Sequence, residues 1–219
     1  MSLVPTALRR IDASLFRTIV LGGARPPADR PANTVTTYGL TETGSGVVYD
    51  GRPLGGVDVR IAPDGEILLR GSMLLRCYRD GSSPLDHDGW LHTGDLGRWL
   101  DDGRLHVDGR RGDMIVTGGE NVWPDAVEAV LQRAAGVAEV AVAGVDDLEW
   151  GQRVVAWVVP DDPSSPPTLA DLRTTVADHL PAFCAPKELV LVTTLPRTAL
   201  GKVQRTTLRA SREATGGSH

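Results

Sequence analysis

The chain has 219 residues, of which 41% are hydrophobic, and a formal net charge of −5. That length accommodates one large or two small domains, at a rough ~150 residues per domain, and the acidic balance argues against broad binding to nucleic acid or to anionic membranes, which requires a basic face. Two cysteines, Cys77 and Cys184, have neither metal-ligand nor disulfide-framework spacing and suit a reducing cytoplasm; the longest clear apolar run, residues 154–159, is too short to span a bilayer, and the N-terminus lacks a signal-peptide layout.

Taken in order, residues 3–11 are expected to form a helix with Pro5 in its first turn. Residues 18–21 and 35–38 are β-branched and apolar and read as short strands, separated by Gly22-Gly23-Ala24 and a proline-rich loop. Residues 57–61 and 66–70 flank Pro63-Asp64-Gly65, a hairpin signal, and residues 105–107 repeat that pattern after Asp101-Asp102-Gly103. The stretch GRRGDMIVTGGENV, residues 109–122, suggests a sharp reversal at Gly109-Arg110, a strand around Met114-Ile115-Val116 and a tight Gly118-Gly119 turn. Beyond it, residues 124–135 and 169–180 have apolar residues at helical spacing, residues 137–145, 153–159 and 189–192 read as buried strands, and the Gly/Ser-rich end after Arg212 is expected to be disordered. The fold class is therefore α/β and α+β, a β-rich first part followed by a small α+β domain with helices packed on a sheet.

Three stretches carry candidate chemistry. Thr, Ser and Gly clustered over residues 38–46 can hold an anion through hydroxyls and backbone N–H groups, and Glu42 among them makes sense beside phosphate if it holds a Mg²⁺. Tyr38 offers a flat face for a purine. Asp95 follows a glycine and could accept from two ribose hydroxyls. Each has an ordinary alternative as a turn or cap residue, and Lys202, after Gly201, would by itself be a solvated surface lysine. His87, His92, His106 and His179 lack paired metal-ligand spacing, and the five tryptophans fit packing better than ligand stacking.

The blocks TYGLTETGSG, HTGDLG, GRRGDMIVTGGENV and LPRTALGKVQR, in that order, resemble the adenylate-forming ligases: acyl-CoA synthetases, aryl-CoA ligases and peptide-synthetase adenylation domains. The resemblance implies a domain boundary, with residues 1–109 as the later part of a large AMP-binding domain, residues 110–219 as a mobile small domain, and a hinge near 110–113 at Gly112 and Asp113. It implies that Tyr38 stacks on adenine, that Thr41 binds phosphate and that Glu42 ligates Mg²⁺. Gly22, Gly23 and Ala24 would lie near adenine and the acyl group, Gly39 and Leu40 would line the acid pocket, and Asp95 and Arg110 would hold the ribose. Gly118 and Gly119 would line the thiol passage, and Lys202 would bridge the attacking carboxylate and the phosphate. ATP or AMP, Mg²⁺ and coenzyme A are the implied cofactors and a carboxylic acid the implied substrate. The texture after Glu42 is similar to o-succinylbenzoate–CoA ligases, with fatty-acyl or other short-acid ligases and a non-catalytic AMP-binding fragment as rivals. The family's upstream phosphate loop has no counterpart before Tyr38, so this chain alone is expected to be catalytically weak or dead. The connection from Gly23 to Tyr38 also departs from the family pattern, with Pro26, Pro27 and Pro31 where a helix is common. Gly112→Pro is predicted to impair thioester formation more than adenylation in separate half-reaction assays; equal loss of both would contradict the hinge reading.

Overall fold

The computed structural model describes residues 1–8, 10–23, 26–27, 29–198 and 201–216. It divides into two compact units, Met1–Arg111 and Gly112–His219. Ala24 lies outside the described residues.

The first unit is built on two sheets. One takes β1 (Ser2–Leu3), β2 (Ile19–Leu21), β3 (Thr34–Tyr38), β4 (Val48–Tyr49) and β5 (Arg52–Pro53) in that order, the first three parallel and the last two antiparallel. Between β1 and β2 lies α1 (Pro5–Leu8). The predicted long N-terminal helix is thus corrected to a two-residue strand and a single turn of helix. Ser2 and Leu3 pair with Val20 and Leu21, and Asp12 caps a separate 3-10 turn by accepting from the Ser14 amide at 3.0 Å.

The second sheet is the antiparallel meander β6 (Asp58–Ile61), β7 (Glu66–Arg70), β8 (Leu91–Trp99) and β9 (Leu105–Arg110). Both hairpins read from the turn residues are present, β6–β7 and β8–β9. Val47, just before β4, and Val48 of β4 pack with Ile67, Leu69, Leu91 and Leu105 of the second sheet into one core, which also receives Tyr38 and Leu40. The Gly109-Arg110 step is no reversal: both residues are still in β9, paired with Leu96 and Asp95, and the chain turns in the 3-10 segment Arg111–Asp113.

In the second unit β10 (Ile115–Thr117) and β11 (Glu120–Val122) form a hairpin closed by Gly118 and Gly119, both at positive φ, as a two-residue turn of that twist requires. After α2 (Pro124–Leu131), the long hairpin β12 (Val137–Asp147) and β13 (Gly151–Pro160) forms the centre of the sheet, followed by α3 (Leu169–Ala177), β14 (Glu188–Leu191) and α4 (Arg205–Gly216). Alternation along β12 serves two cores. Val140 and Val142 pack toward the α2 and α3 side, with Val127, Leu131, Leu172 and Val176, whereas Ala141, Ala143 and Val145 pack with Trp157, Leu195 and Leu208. Thr168 starts α3 with a reciprocal cap to Asp171. The tail expected to be disordered after Arg212 is instead helical through Gly216, because Leu208 is buried and Arg212 pairs with Glu188. Among the described residues no helix is long and apolar enough to cross a membrane.

Candidate functional site

In the first unit the sheet strands bring Tyr38, Asp95 and Arg110 together. Tyr38 ends β3 and Asp95 lies in β8, 57 residues later, yet the phenol donates to Asp95 Oδ2 at 2.9 Å. Asp95 is cross-strand partner to Arg110, whose Nε stands 3.9 Å from Oδ1. Burial, and next the Asp95 charge, push the Tyr38 hydroxyl well above the ordinary phenol range, so it remains a donor. The segment carrying Asp95 is fixed from below. The Thr93 hydroxyl donates to the Ile67 carbonyl at 2.7 Å and accepts from the Asp95 amide at 3.1 Å. Glu66 accepts from the Gly94 amide at 2.8 Å and contacts His92 Nδ1 at 3.1 Å. His92 also faces Asp86 at 3.6 Å, and Arg111 reaches Asp64 at 2.9 Å. These contacts hold the backbone on either side of Asp95.

Thr41 and Glu42 stand in a 3-10 turn, Thr41–Thr43, directly after β3. Thr41 is exposed. Glu42 accepts from the Tyr78 hydroxyl at 2.9 Å, and its carbonyl accepts from the Leu75 amide at 2.8 Å. Among the described residues no group of three or more His, Cys, Asp or Glu could hold a metal. A cation at Glu42 would therefore draw its remaining ligands from phosphate and water, the usual habit of Mg²⁺.

Gly22 and Gly23 line a cavity of about 390 Å³ with Leu3, Val20, Thr37 and Gly46. The glycines let strands approach closely there: a Cβ on Gly46 would lie 1.7 Å from Thr37 Oγ1, and one on Gly22 2.8 Å from Thr37 Cγ2. Gly39 sits against the Ser45 carbonyl and Leu40 in the core; neither lines that cavity.

In the second unit Gly118 packs on Trp150. Its amide donates to the Trp150 carbonyl at 2.9 Å, and a Cβ would meet the indole at 2.9 Å. Lys187 stacks on that half-exposed ring, so Trp150 is not a core residue, unlike Trp157. Lys202 is exposed in a tight loop in which the Thr198 amide donates to the Lys202 carbonyl at 2.8 Å and the Lys202 amide to the Thr198 hydroxyl at 3.1 Å. Cys77 is exposed and Cys184 buried, both as free thiols.

A group that sequence reasoning missed centres on Arg205. Its Nη2 pairs with Asp125 and, at 2.9 Å, with Glu128; Nη1 stands 3.3 Å from Asp113, and Nε donates to the Val142 carbonyl at 3.1 Å. Burial pushes the Glu128 carboxyl up despite Arg205, whereas on Arg205 the opposing pull of burial is outweighed by Glu128 and Asp125, which hold it protonated. The only sequence signal was Arg205 closing the LGKVQR block.

The first unit thus carries a Tyr–Asp–Arg cluster and, separately, a glycine-lined cavity, and the second unit carries an exposed lysine. The sequence profile of the AMP-binding enzyme C-terminal domain matches residues 126–202, and over most of its length the chain is similar to adenylate-forming, AMP-binding enzymes. Its relatives are acid–CoA ligases in particular. A probable 2-succinylbenzoate–CoA ligase of Mycobacterium tuberculosis is 43% identical over 215 residues, covering 92% of this chain and 54% of the relative. From the same organism, a 3-[(3aS,4S,7aS)-7a-methyl-1,5-dioxo-octahydro-1H-inden-4-yl]propanoyl:CoA ligase is 38% identical over 232 residues, covering 93% and 45%. The o-succinylbenzoate CoA synthetase of Bacillus subtilis, solved with its acyl-adenylate intermediate, matches with a TM-score of 0.83 at 29% identity, covering 95% of this chain and 50% of that one. The chain spans about half the length of the curated relatives it matches.

Proposed function

We propose that this chain is the later portion of an AMP-forming acid–CoA ligase whose acid is 2-succinylbenzoate, acting in the reducing cytoplasm in the route to menaquinone. The observation that carries the reading is the Tyr38–Asp95–Arg110 cluster, a neutral phenol, a carboxylate and a guanidinium set on two neighbouring sheets. The identity to 2-succinylbenzoate–CoA ligases supports the choice of acid. The indene-propanoyl relative supports the rival choice, another ring-bearing acid.

In this reading the Tyr38 ring covers adenine while its hydroxyl holds Asp95, and Asp95 and Arg110 take the ribose hydroxyls. Thr41 donates to the α-phosphate. The acid occupies the cavity bordered by Gly22 and Gly23; Gly39 and Leu40, expected from the resemblance to line the acid pocket, stand outside that cavity. A carboxylate oxygen attacks the α-phosphorus, the bond to the β-phosphate oxygen breaks, and pyrophosphate leaves. Lys202 neutralises charge developing between the carboxylate and the phosphate, a task suited to a compact ammonium on a flexible stem. Glu42 would hold Mg²⁺, which when bound neutralises phosphate charge. In the second half-reaction the sulfur of coenzyme A, entering past Gly118 and Gly119, attacks the acyl carbon; the carbon–oxygen bond to AMP breaks and the thiol proton leaves to solvent. Turning at Gly112 exchanges one face of the small unit for the other. The test is a panel of carboxylic acids offered with ATP and coenzyme A to the complete ligase, with thioester formation as readout. Preference for 2-succinylbenzoate is expected. Preference for a fatty or fused-ring acid would replace the substrate, and adenylate binding without thioester from any acid would favour the non-catalytic module.

A further inference from the structure

The Lys202 loop and the joint at residue 112 lie far apart in sequence, yet both end on one side chain. Arg205 opens α4 three residues after Lys202, and 92 residues separate it from Asp113, to which its Nη1 reaches at 3.3 Å. Its other nitrogens are committed as well: Nη2 to Asp125 and Glu128 of α2, Nε to the Val142 carbonyl of β12. The Arg205 side chain is 12% exposed, so these contacts are made largely out of water. The entry of the loop is tied to the same strand, because Arg197 pairs with Glu139 at 2.7 Å and also donates to the Gly201 carbonyl. Lys202 thus sits exposed between two arginine anchors, both on β12.

The joint has a matching pattern. Arg111 is bound within the first unit, to Asp64 at 2.9 Å and near Glu66 at 3.9 Å. Asp113 is bound within the second unit, to Arg205. Between them stands Gly112. A Cβ there would meet nothing within 4 Å, and its φ is outside the left-handed region, so the observed conformation has no need of glycine.

We propose that Arg205 is a positioning residue that fixes the exit of the joint and the base of the Lys202 loop to one patch of the second unit, so that the lysine turns with the joint and the turning is confined to Gly112. A planar guanidinium can reach four acceptors on three segments of chain; an ammonium at one point cannot. The proposal rests on the reading of Lys202 as the moving cation and Gly112 as the pivot. Its test involves no ATP, acid or thiol, and so it can fail while that reading stands, or the reverse.

The experiment is ¹⁵N relaxation on this chain and on its Arg205→Lys, Arg205→Met and Asp113→Asn variants, with β12 and β13 amides as internal control. In the unaltered chain Asp113, Met114, Gly201 and Lys202 are expected to have order parameters near the rigid value of ~0.85. Arg205→Lys should lower both pairs toward ~0.6 while the control amides stay rigid. Asp113→Asn should loosen the substituted position and Met114 alone, because Arg205 keeps Asp125, Glu128 and Val142. Arg205→Met is expected to match or exceed Arg205→Lys; if it does not fold, Arg205→Lys carries the test. Loosening of α4 without either pair, of only one pair in Arg205→Lys, or no change at all would overturn the proposal.

Discussion

Tyr38 has a role beyond presenting an aromatic face. Its hydroxyl donates to Asp95 in a half-buried setting, and a hydrogen bond to a charged group is worth more than a neutral one, about 1.5–3 kcal/mol. Tyr38→Phe keeps the ring and deletes the donor, leaving the carboxylate with less support. We predict that urea denaturation of the first unit will show a loss of about 1–3 kcal/mol; an unchanged midpoint would mean that water replaces the phenol at no cost. Glu128 is a second group that burial biases toward its protonated form. Because burial raises its folded-state pKa above the ordinary 4.5, the ionised form is disfavoured by folding. Its stabilising contribution is therefore fully present below pH 4.5 and is lost as pH rises through the raised value. Glu128→Gln removes that titration. The stability difference between the unaltered chain and Glu128→Gln should move against the former as pH is raised through this range, and a difference flat with pH would contradict it.

At the scale of elements, the turn chemistry was the most legible part of the sequence. Pro63-Asp64-Gly65, Asp101-Asp102-Gly103 and Gly118-Gly119 each close a hairpin, because residues that permit positive φ are scarce and local. The Gly118 turn has a further constraint, with φ at +59° and the Trp150 ring 2.9 Å from where a Cβ would stand. We predict that Gly118→Ala will cost about 1–3 kcal/mol and alter Trp150 fluorescence, as overpacking does; a silent substitution would show that the indole is free to move aside. The helices α2 and α3 were legible from apolar spacing. Helix α4 was not, since Leu208 is its one buried apolar anchor among the described residues and much of its attachment comes from Arg205 and Arg212 finding carboxylates on other elements. Similarly, β1 is two residues long and exists only because β2 offers it a parallel edge. Tertiary partners decide such segments, and local sequence does not contain them. The Tyr38–Asp95 contact was half legible: both residues stood out, but their hydrogen bond depends on β3 and β8 meeting across a shared core.

At the scale of the whole molecule, two units of separate core are joined at a glycine, and chemistry-bearing residues fall on both sides of it. The Tyr38–Asp95–Arg110 cluster belongs to the first and Lys202 to the second. The proposed mechanism depends above all on Lys202 serving one half-reaction and standing idle in the other. The most direct measurement compares the two halves in a complete ligase carrying this chain with Lys202→Ala. The variant is predicted to lose about 10²–10³ in pyrophosphate exchange, the cost of removing a charge-stabilising group, while converting supplied acyl-adenylate to thioester at close to the unaltered rate. Equal loss in both halves, or undiminished exchange, would contradict it.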